Sequence, residues 1–143
     1  LFVLTLRRVT SRVDAAGRAM PWGLASVGSM LVASILAWVL AVAAGTASVE
    51  TVGALRTANF IAGGTAHVVL LGVFVLLAAR IPNTTKPIRV LSIAAAVPAV
   101  LSLSSLVVFE GAALILLGRL LCMVWAICAA VSLRRRIGKG EVV

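Results

Sequence analysis

The chain has 143 residues, of which 62% are apolar and 12% are charged, and its formal net charge is +9. A water-soluble domain carries about a quarter of its residues as charged side chains, so this composition excludes a soluble globular domain and predicts an integral membrane protein. The apolar residues suffice for roughly four spans of ~20 residues. They leave no room for a catalytic head or a long soluble tail.

The N-terminal residues 1–21 form a basic segment with an amphipathic pattern. Its hydrophobic residues recur at alternating spacings of four and three, which places them on one helical face; they are Phe2, Leu6, Val9, Val13, Ala16 and Met20. This pattern is typical of a helix that lies in the membrane interface or docks on a partner. The alternative is a partly ordered basic leader.

Four continuous apolar segments follow, and each predicts a transmembrane helix. The first covers residues 22–45, begins after Pro21 and is too long for a cleaved signal sequence, so we expect it to be retained. The second covers residues 57–79 and the third residues 88–109. The fourth covers residues 111–133, and a basic tail over residues 134–143 comes after it.

The polarity within these segments does not alternate, so helices rather than the strands of a β-barrel are predicted. Short connections favour an all-α, up-down four-helix bundle as the transmembrane domain over residues 22–133. Within the third segment, Pro98 leaves the carbonyl near Ala94 without a helical donor. We expect a kink there that is solvated by the hydroxyl groups that follow, those of Ser102, Ser104 and Ser105.

Lysine and arginine residues are concentrated at alternate ends of the four segments. Eleven of the thirteen lie in the N-terminal segment, the middle loop and the tail. The opposite side carries Arg56, Glu50 and Glu110. Basic residues are retained on the cytoplasmic side during insertion, so we expect a multi-pass protein of the cytoplasmic (inner) membrane with both termini in the cytoplasm. The basic clusters adjoin span ends without interleaved aromatic residues, which indicates contact with anionic lipid and not with nucleic acid.

Small residues recur at every fourth position along the first segment, and they are Ala25, Ser29, Ala33, Ala37, Ala41 and Gly45. Helices associate in lipid where small residues allow close backbone approach. We therefore expect this face to pack against another helix, either in this chain or in another. A shorter stripe on the fourth segment has the same spacing, and it comprises Gly118, Cys122, Ala126 and Ala130.

Arg119 and His67 are the ionisable residues predicted to lie deep in the membrane. At a rise of ~1.5 Å per residue, they lie about 14 Å and about 16 Å below the outer face, respectively. A charged arginine at that depth needs a partner, a watery cavity or a lipid headgroup. One hypothesis is that Arg119 and His67, with Glu110 or Glu50, line an outward-opening site for an anionic head group. The alternatives are that Arg119 snorkels outward or pairs with a neighbouring subunit's acidic residue, and that His67 donates to a carbonyl of an adjacent helix.

Several functional classes lack their signatures in this sequence. It has no glycine-rich phosphate loop, no CxxC, no HExxH, no nucleophile elbow and no pair of intramembrane carboxylates. A single histidine cannot supply both axial ligands of a haem, and no cysteine or carboxylate stands at ligand spacing from it. We therefore expect a protein that is not an enzyme and that binds no cofactor and no metal.

The layout as a whole resembles small four-helix inner-membrane proteins of high-GC actinobacteria such as mycobacteria. The likeness rests on Arg-rich, Lys-poor loops, on Ala/Val/Leu spans without Tyr, and on the run from Arg89-Val90-Leu91-Ser92 through Leu101-Ser102-Leu103-Ser104. Proteins of this appearance are similar to accessory subunits of actinobacterial envelope machines, among them Mce-type lipid importers. The resemblance implies a role in the assembly or stabilisation of a lipid transporter, with other membrane subunits and lipids as partners.

These observations together favour a non-enzymatic accessory subunit of a larger inner-membrane complex. One alternative is a small homo-oligomeric transporter or channel with a polar site near the membrane midplane. Another is an intramembrane enzyme or redox protein that uses His67.

Overall fold

The computed structural model describes residues 14–81, 84–108 and 111–138, and within them the chain is helical and contains no strand. Four helices are long and apolar enough to cross a membrane: Gly17–Ala43, Val49–Ala78, Lys86–Leu106 and Ala112–Arg135. We refer to them as the first to fourth helices. The prediction of an all-α chain with four candidate membrane spans is confirmed. Most of the amphipathic pattern at residues 2–20 lies outside the described residues.

The first helix is longer than the sequence suggested, because it begins at Asp14 and ends at Ala43. Pro21 therefore lies inside the helix and does not start it. A proline within a helix removes the hydrogen bond to the carbonyl four residues earlier, here that of Gly17. The helix nevertheless continues past Pro21, and Gly17 itself is exposed.

The second helix consists of an α-helix at Val49–Phe60, a π-helical segment at Ile61–Ala66 and an α-helix at His67–Ala78. It starts eight residues before the predicted position 57. The reason is a cap that hydropathy does not reveal: the Ser48 hydroxyl accepts a hydrogen bond from the Thr51 N–H at 3.2 Å.

The third helix runs as an α-helix over Lys86–Leu101 and tightens into a 3₁₀ turn at Ser102–Leu106. Pro98 is buried inside it, as predicted. The hydroxyl groups that follow do not solvate the carbonyl of Ala94, however. The tightened turn brings the Ser102 hydroxyl onto the carbonyl of Ala99 at 2.6 Å, and Ser105 reaches another helix instead.

The fourth helix covers Ala112–Gly138 and packs on the third through its stripe of small residues. Gly118 and Cys122 are buried, with the Cys122 thiol 3.9 Å from the carbonyl of Ala95. Ala126 is partly buried and Ala130 is exposed. The inner part of this predicted stripe is therefore a helix contact, as expected.

Successive helices run antiparallel, because the residue numbers of contacting pairs rise along one helix as they fall along the next. The contacts between the first and second helices pair 26 with 67 and 33 with 63. Those between the second and third pair 65 with 105 and 72 with 99, and those between the third and fourth pair 99 with 118 and 95 with 122.

Ala99 lies at the point where three helices meet, and it is completely buried. A Cβ on Gly72 of the second helix would lie 2.6 Å from the Ala99 Cβ, and a Cβ on Gly118 of the fourth would lie 2.8 Å from its Cα. Nearby, the rings of Phe74 and Trp125 meet edge to face with centroids 6.0 Å apart. The second, third and fourth helices thus form the main core, and the first helix packs mainly on the second.

Candidate functional site

His67 is held against the first helix by a reciprocal pair of contacts with Ser26. Its Nδ1 lies 3.0 Å from the Ser26 carbonyl oxygen and 2.9 Å from the Ser26 hydroxyl. Because a carbonyl oxygen only accepts, Nδ1 carries a proton and donates it. The Ser26 hydroxyl in turn donates to the His67 carbonyl at 3.1 Å. The structure thus shows the predicted donation from His67 to a carbonyl of a neighbouring helix.

This arrangement also defines the state of the other ring nitrogen. With the proton on Nδ1, the neutral ring keeps Nε2 as a hydrogen-bond acceptor. Within the part of the chain that the structure describes, Nε2 makes no hydrogen bond. The imidazole is therefore positioned through one nitrogen, and the other is available to a ligand or to a polar group of another chain.

The π-helical segment directly precedes His67 and determines the direction in which its side chain projects. The His67 N–H donates to the carbonyl of Ala62, five residues earlier, and the Ser29 hydroxyl donates to the same carbonyl at 2.7 Å. One residue inserted into a helix turns the following side chains by about 100°. A Cβ on Gly63 would lie 2.8 Å from the Ala33 Cβ, so the first helix approaches the π turn closely.

Arg119 lies on the fourth helix, seven residues after its first residue, Ala112, which is about 10 Å along the axis. Its Nη2 lies 3.8 Å from the sulfur of Met30, so the side chain extends towards the first helix. Met30 lies one turn after Ser26, which holds His67, so Arg119 and His67 approach the same part of the first helix. Among the described residues, Arg119 forms no ion pair. A thioether sulfur is a weak acceptor, and it leaves most of the five guanidinium donors unsatisfied.

Arg119 crosses a space between the first and fourth helices, which we call the first–fourth gap. Met30 on the first helix and Arg119 on the fourth bound this space, and His67 of the second helix lies beside it. The first helix packs on the second, and the fourth packs on the third and the second. Direct packing between the first and fourth helices is slight. The two predicted deep polar residues are therefore brought together beside a gap between helices and not in the main core.

The acidic residues named with this site are placed differently. Glu50 is exposed in the first turn of the second helix, 17 residues before His67 and thus about 25 Å away along the axis. The structure does not bring Glu50 to Arg119 and His67, because a helix separates side chains in proportion to their distance in sequence. Glu110 lies outside the described residues.

The spacing-four stripe of the first helix packs within this chain only near its middle. Ala33 is buried and Ser29 is half-buried, whereas Ala25, Ala37, Ala41 and Gly45 are exposed. Four residues turn a helix by about 400°, so the stripe drifts about 40° around the axis at each step, and Ala25 faces about 80° away from Ala33. Ala37 and Ala41 lie beyond Ala33, towards the part of the second helix, Val49–Phe60, in which no residue is buried. Packing of the exposed positions against another chain stays a prediction.

The face of the first helix that packs follows a spacing of seven, and sequence reasoning missed it. Ala19, Ser26 and Ala33 are all buried, which is the repeat expected for helices that cross at a shallow angle. That spacing was the available signal for Ser26. Sequence reasoning also missed the contact between Thr65 and Ser105. Their buried hydroxyl groups lie 3.0 Å apart and join the second and third helices.

The described residues contain no cluster of three His, Cys, Asp or Glu side chains that could hold a metal ion. Cys122 and Cys128 are free thiols. Arg119 and His67 can offer ionic and hydrogen-bonding contacts to a polar group.

Comparisons with protein families, with curated proteins and with solved structures find no match for this chain.

Proposed function

We propose that this protein is a non-enzymatic accessory subunit of a larger complex in the cytoplasmic membrane. The class of complex that its sequence resemblance implies is a lipid transporter. Its role in that complex is to stabilise or assemble other membrane subunits through its helix surfaces.

The observation that carries this proposal is the state of Arg119. Arg119 has its backbone about 10 Å from the start of a candidate spanning helix. Its guanidinium has a thioether as its hydrogen-bond acceptor and lacks a counter-charge among the described residues. Charged side chains in a membrane are expensive unless they are paired or face water. A subunit that supplies the missing anion would remove this cost, so Arg119 marks a position where another molecule completes the site.

We further propose an up-down four-helix bundle with both termini in the cytoplasm. The antiparallel contacts between successive helices support the bundle. The exposed basic side chains support the orientation. They lie near the start of the first helix, around the turn between the second and third helices, and at the end of the fourth helix. These side chains are Arg18, Arg80, Lys86, Arg89, Arg134 and Arg135. An antiparallel arrangement places all of these ends on one side, where basic residues are retained.

The second candidate is a small homo-oligomeric transporter or channel. It is favoured by one observation: Arg119 and His67, the two predicted deep polar residues, contact Met30 and Ser26, which are one turn apart on the first helix. Polar residues that face a gap between helices at depth are typical of solute pathways.

The test is purification of the tagged full-length chain from its native membrane in a mild detergent, followed by mass spectrometry and native sizing. We expect a second membrane subunit in stoichiometric amount, lost with Arg119→Leu and retained with Arg56→Leu. Arg56 is exposed on the second helix and serves as the matched control. Recovery of the chain alone as a discrete oligomer would contradict the accessory role and favour the transporter.

A further inference from the structure

We infer that the first–fourth gap binds a phosphate group at the guanidinium of Arg119, and that this phosphate belongs to a lipid head group or to free phosphate. The inference rests on the proposed function, in which another molecule completes Arg119, and it adds the chemistry of that molecule. A subunit that depends on Arg119 then contacts the chain through this anion.

The turn between the third and fourth helices lies at the level of Met30 along the molecule. A Cβ on Gly111, at the start of the fourth helix, would lie 2.6 Å from the backbone N of Ser105. The Ser105 hydroxyl lies 3.0 Å from that of Thr65 on the second helix. The antiparallel pairs 26 with 67 and 33 with 63 then place Thr65 beside Met30.

This turn is accessible from outside the chain. Val107 and Val108 follow the end of the third helix and are exposed, Val107 by 88%. Irregular backbone does not contact the hydrocarbon of a bilayer, so water or head groups reach the level of Met30 beside this turn. The first and second helices continue for about 20 Å past this level. The turn therefore forms a step beside the two longer helices.

The charge of Arg119 is directed towards this step. Helical side chains slope towards the N-terminus of their own helix, and the fourth helix begins at the turn. The backbone of Arg119 is about 10 Å from that end, and its Nη2 lies 3.8 Å from the sulfur of Met30. Arg119 is half-buried, so part of its surface is accessible from outside the chain. The guanidinium is thus closer to the step than its backbone is, and an anion that enters there can reach it.

The donors of Arg119 match a phosphate. A guanidinium presents five N–H donors in a planar fork that can bind two phosphate oxygens at once. The thioether of Met30 is a weak acceptor, so it does not compete with an anion for these donors.

His67 adds an acceptor beside the same part of the first helix, because Ser26, which holds its Nδ1, is one turn from Met30. With the proton on Nδ1, Nε2 accepts a hydrogen bond. A protonated oxygen of free phosphate, or a hydroxyl of a glycerol head group, supplies a donor for Nε2. An ionised carboxylate supplies none. Arg119 and His67 together therefore favour a phosphate that carries a donor over a carboxylate.

The test uses the single histidine of the chain as its reporter. The full-length chain, labelled with ¹⁵N-histidine, is placed in an uncharged maltoside detergent and titrated with sodium phosphate or with phosphatidylglycerol. The controls are sodium chloride at equal ionic strength and diacylglycerol, which lacks the phosphate. We expect the His67 Nε2 signal to shift saturably with a phosphate source and not with either control. Saturation by the lipid alone identifies a head group, and saturation by inorganic phosphate alone identifies an anion from solution.

Charge variants then assign the binding to Arg119. Arg119→Gln keeps a polar side chain and removes the charge, so we expect the half-saturating concentration to rise by about tenfold or more. Arg119→Lys keeps the charge without the planar fork and should bind with intermediate strength. The matched control is Arg56→Gln, at an exposed position of the second helix, which should leave binding unchanged. An unaltered Nδ1 signal in each variant shows that the contact with Ser26 is intact.

Several results would overturn the inference. They are the absence of a saturable shift with both phosphate sources, equal binding by Arg119→Gln and the natural chain, and a shift that requires a co-purified subunit, which would assign the anion to that subunit. Binding that appears only with Glu110→Gln would identify Glu110 of this chain as the counter-ion.

These results are separable from a failure of the proposed function. If a stoichiometric subunit co-purifies and neither phosphate source shifts the His67 signal, the accessory role stands and the assignment of the gap is wrong. If the chain is recovered alone and a phosphate source shifts the signal, the accessory role is wrong and the phosphate site stands.

Discussion

Replacing Gly118 by alanine should push the third and fourth helices apart. A Cβ at position 118 would lie 2.8 Å from the Cα and 2.9 Å from the N of Ala99. Carbon atoms settle at about 3.5–4.0 Å from one another, so the helices must separate by roughly 0.7 Å. The atoms in the way belong to the backbone, and a change of rotamer cannot relieve the contact.

The expected magnitude combines two opposing effects. Overpacking a tightly packed contact costs about 1–3 kcal/mol, whereas a glycine-to-alanine change inside a helix contributes about 1 kcal/mol in favour of the helix. The control is Gly53→Ala on the second helix, where the new methyl group meets nothing within 4 Å. Helix propensity affects both variants alike, so Gly118→Ala should be about 1–3 kcal/mol less stable than Gly53→Ala.

The assay is titration of the purified protein from mild detergent into sodium dodecyl sulfate, followed by tryptophan fluorescence. Ala99→Gly provides a sharper comparison. The obstacle to a methyl group at Gly72 is the Ala99 Cβ, at 2.6 Å, whereas at Gly118 it is the Ala99 backbone. Ala99→Gly should therefore rescue Gly72→Ala but not Gly118→Ala. Equal stability of Gly118→Ala and Gly53→Ala, or equal rescue of both, would refute the three-helix contact at Ala99.

Three further predictions concern hydrogen bonds and topology. Ser26→Ala removes the hydroxyl that contacts His67, and we expect the free energy of unfolding to fall by about 0.6 kcal/mol in the same titration. The control is Ser34→Ala, which should change nothing because the Ser34 hydroxyl bonds within its own helix. Equal losses in the two variants would contradict the contact between Ser26 and His67. Thr65→Val and Ser105→Ala should couple in a double-mutant cycle by about 0.6 to 1.7 kcal/mol, since their hydroxyl groups lie 3.0 Å apart; additive effects would argue against this bond. The C-terminus is expected in the cytoplasm, so a green fluorescent protein fused there should fluoresce and an alkaline phosphatase fused there should be inactive. The reverse pattern would place the C-terminus outside the cytoplasm.

The sequence predicted the features that depend on local composition. A continuous apolar run of about 20 residues crosses a membrane as a helix whatever its neighbours are, so the four segments were recognisable without any tertiary information. The packed stripe at Gly118 and Cys122 was also predictable, because both residues are small and the helix they contact is the preceding one in the chain. The contact of His67 with a neighbouring carbonyl was expected for a single imidazole without ligand partners.

The ends and irregularities of the helices were not accessible in this way. The first helix continues through Pro21, and the second begins at Val49 because Ser48 caps it. The π turn at Ile61–Ala66 was not predicted, because the segment contains no charged residue and belongs to a continuous apolar run. These features depend on individual hydrogen bonds, which an average over a window of residues does not register.

By itself, the sequence determined that the chain contains four helices long and apolar enough to cross a membrane, and it predicts that Arg119 and His67 lie deep within them. Only the tertiary structure decided which faces pack and which polar groups meet. Of the spacing-four stripe, just Ser29 and Ala33 pack within the chain, and the adjoining stretch Val49–Phe60 of the second helix buries no residue. A long, flexible arginine can extend in several directions, and its direction towards Met30 depends on where the first helix lies. Spacing along one helix carries no information about the position of another.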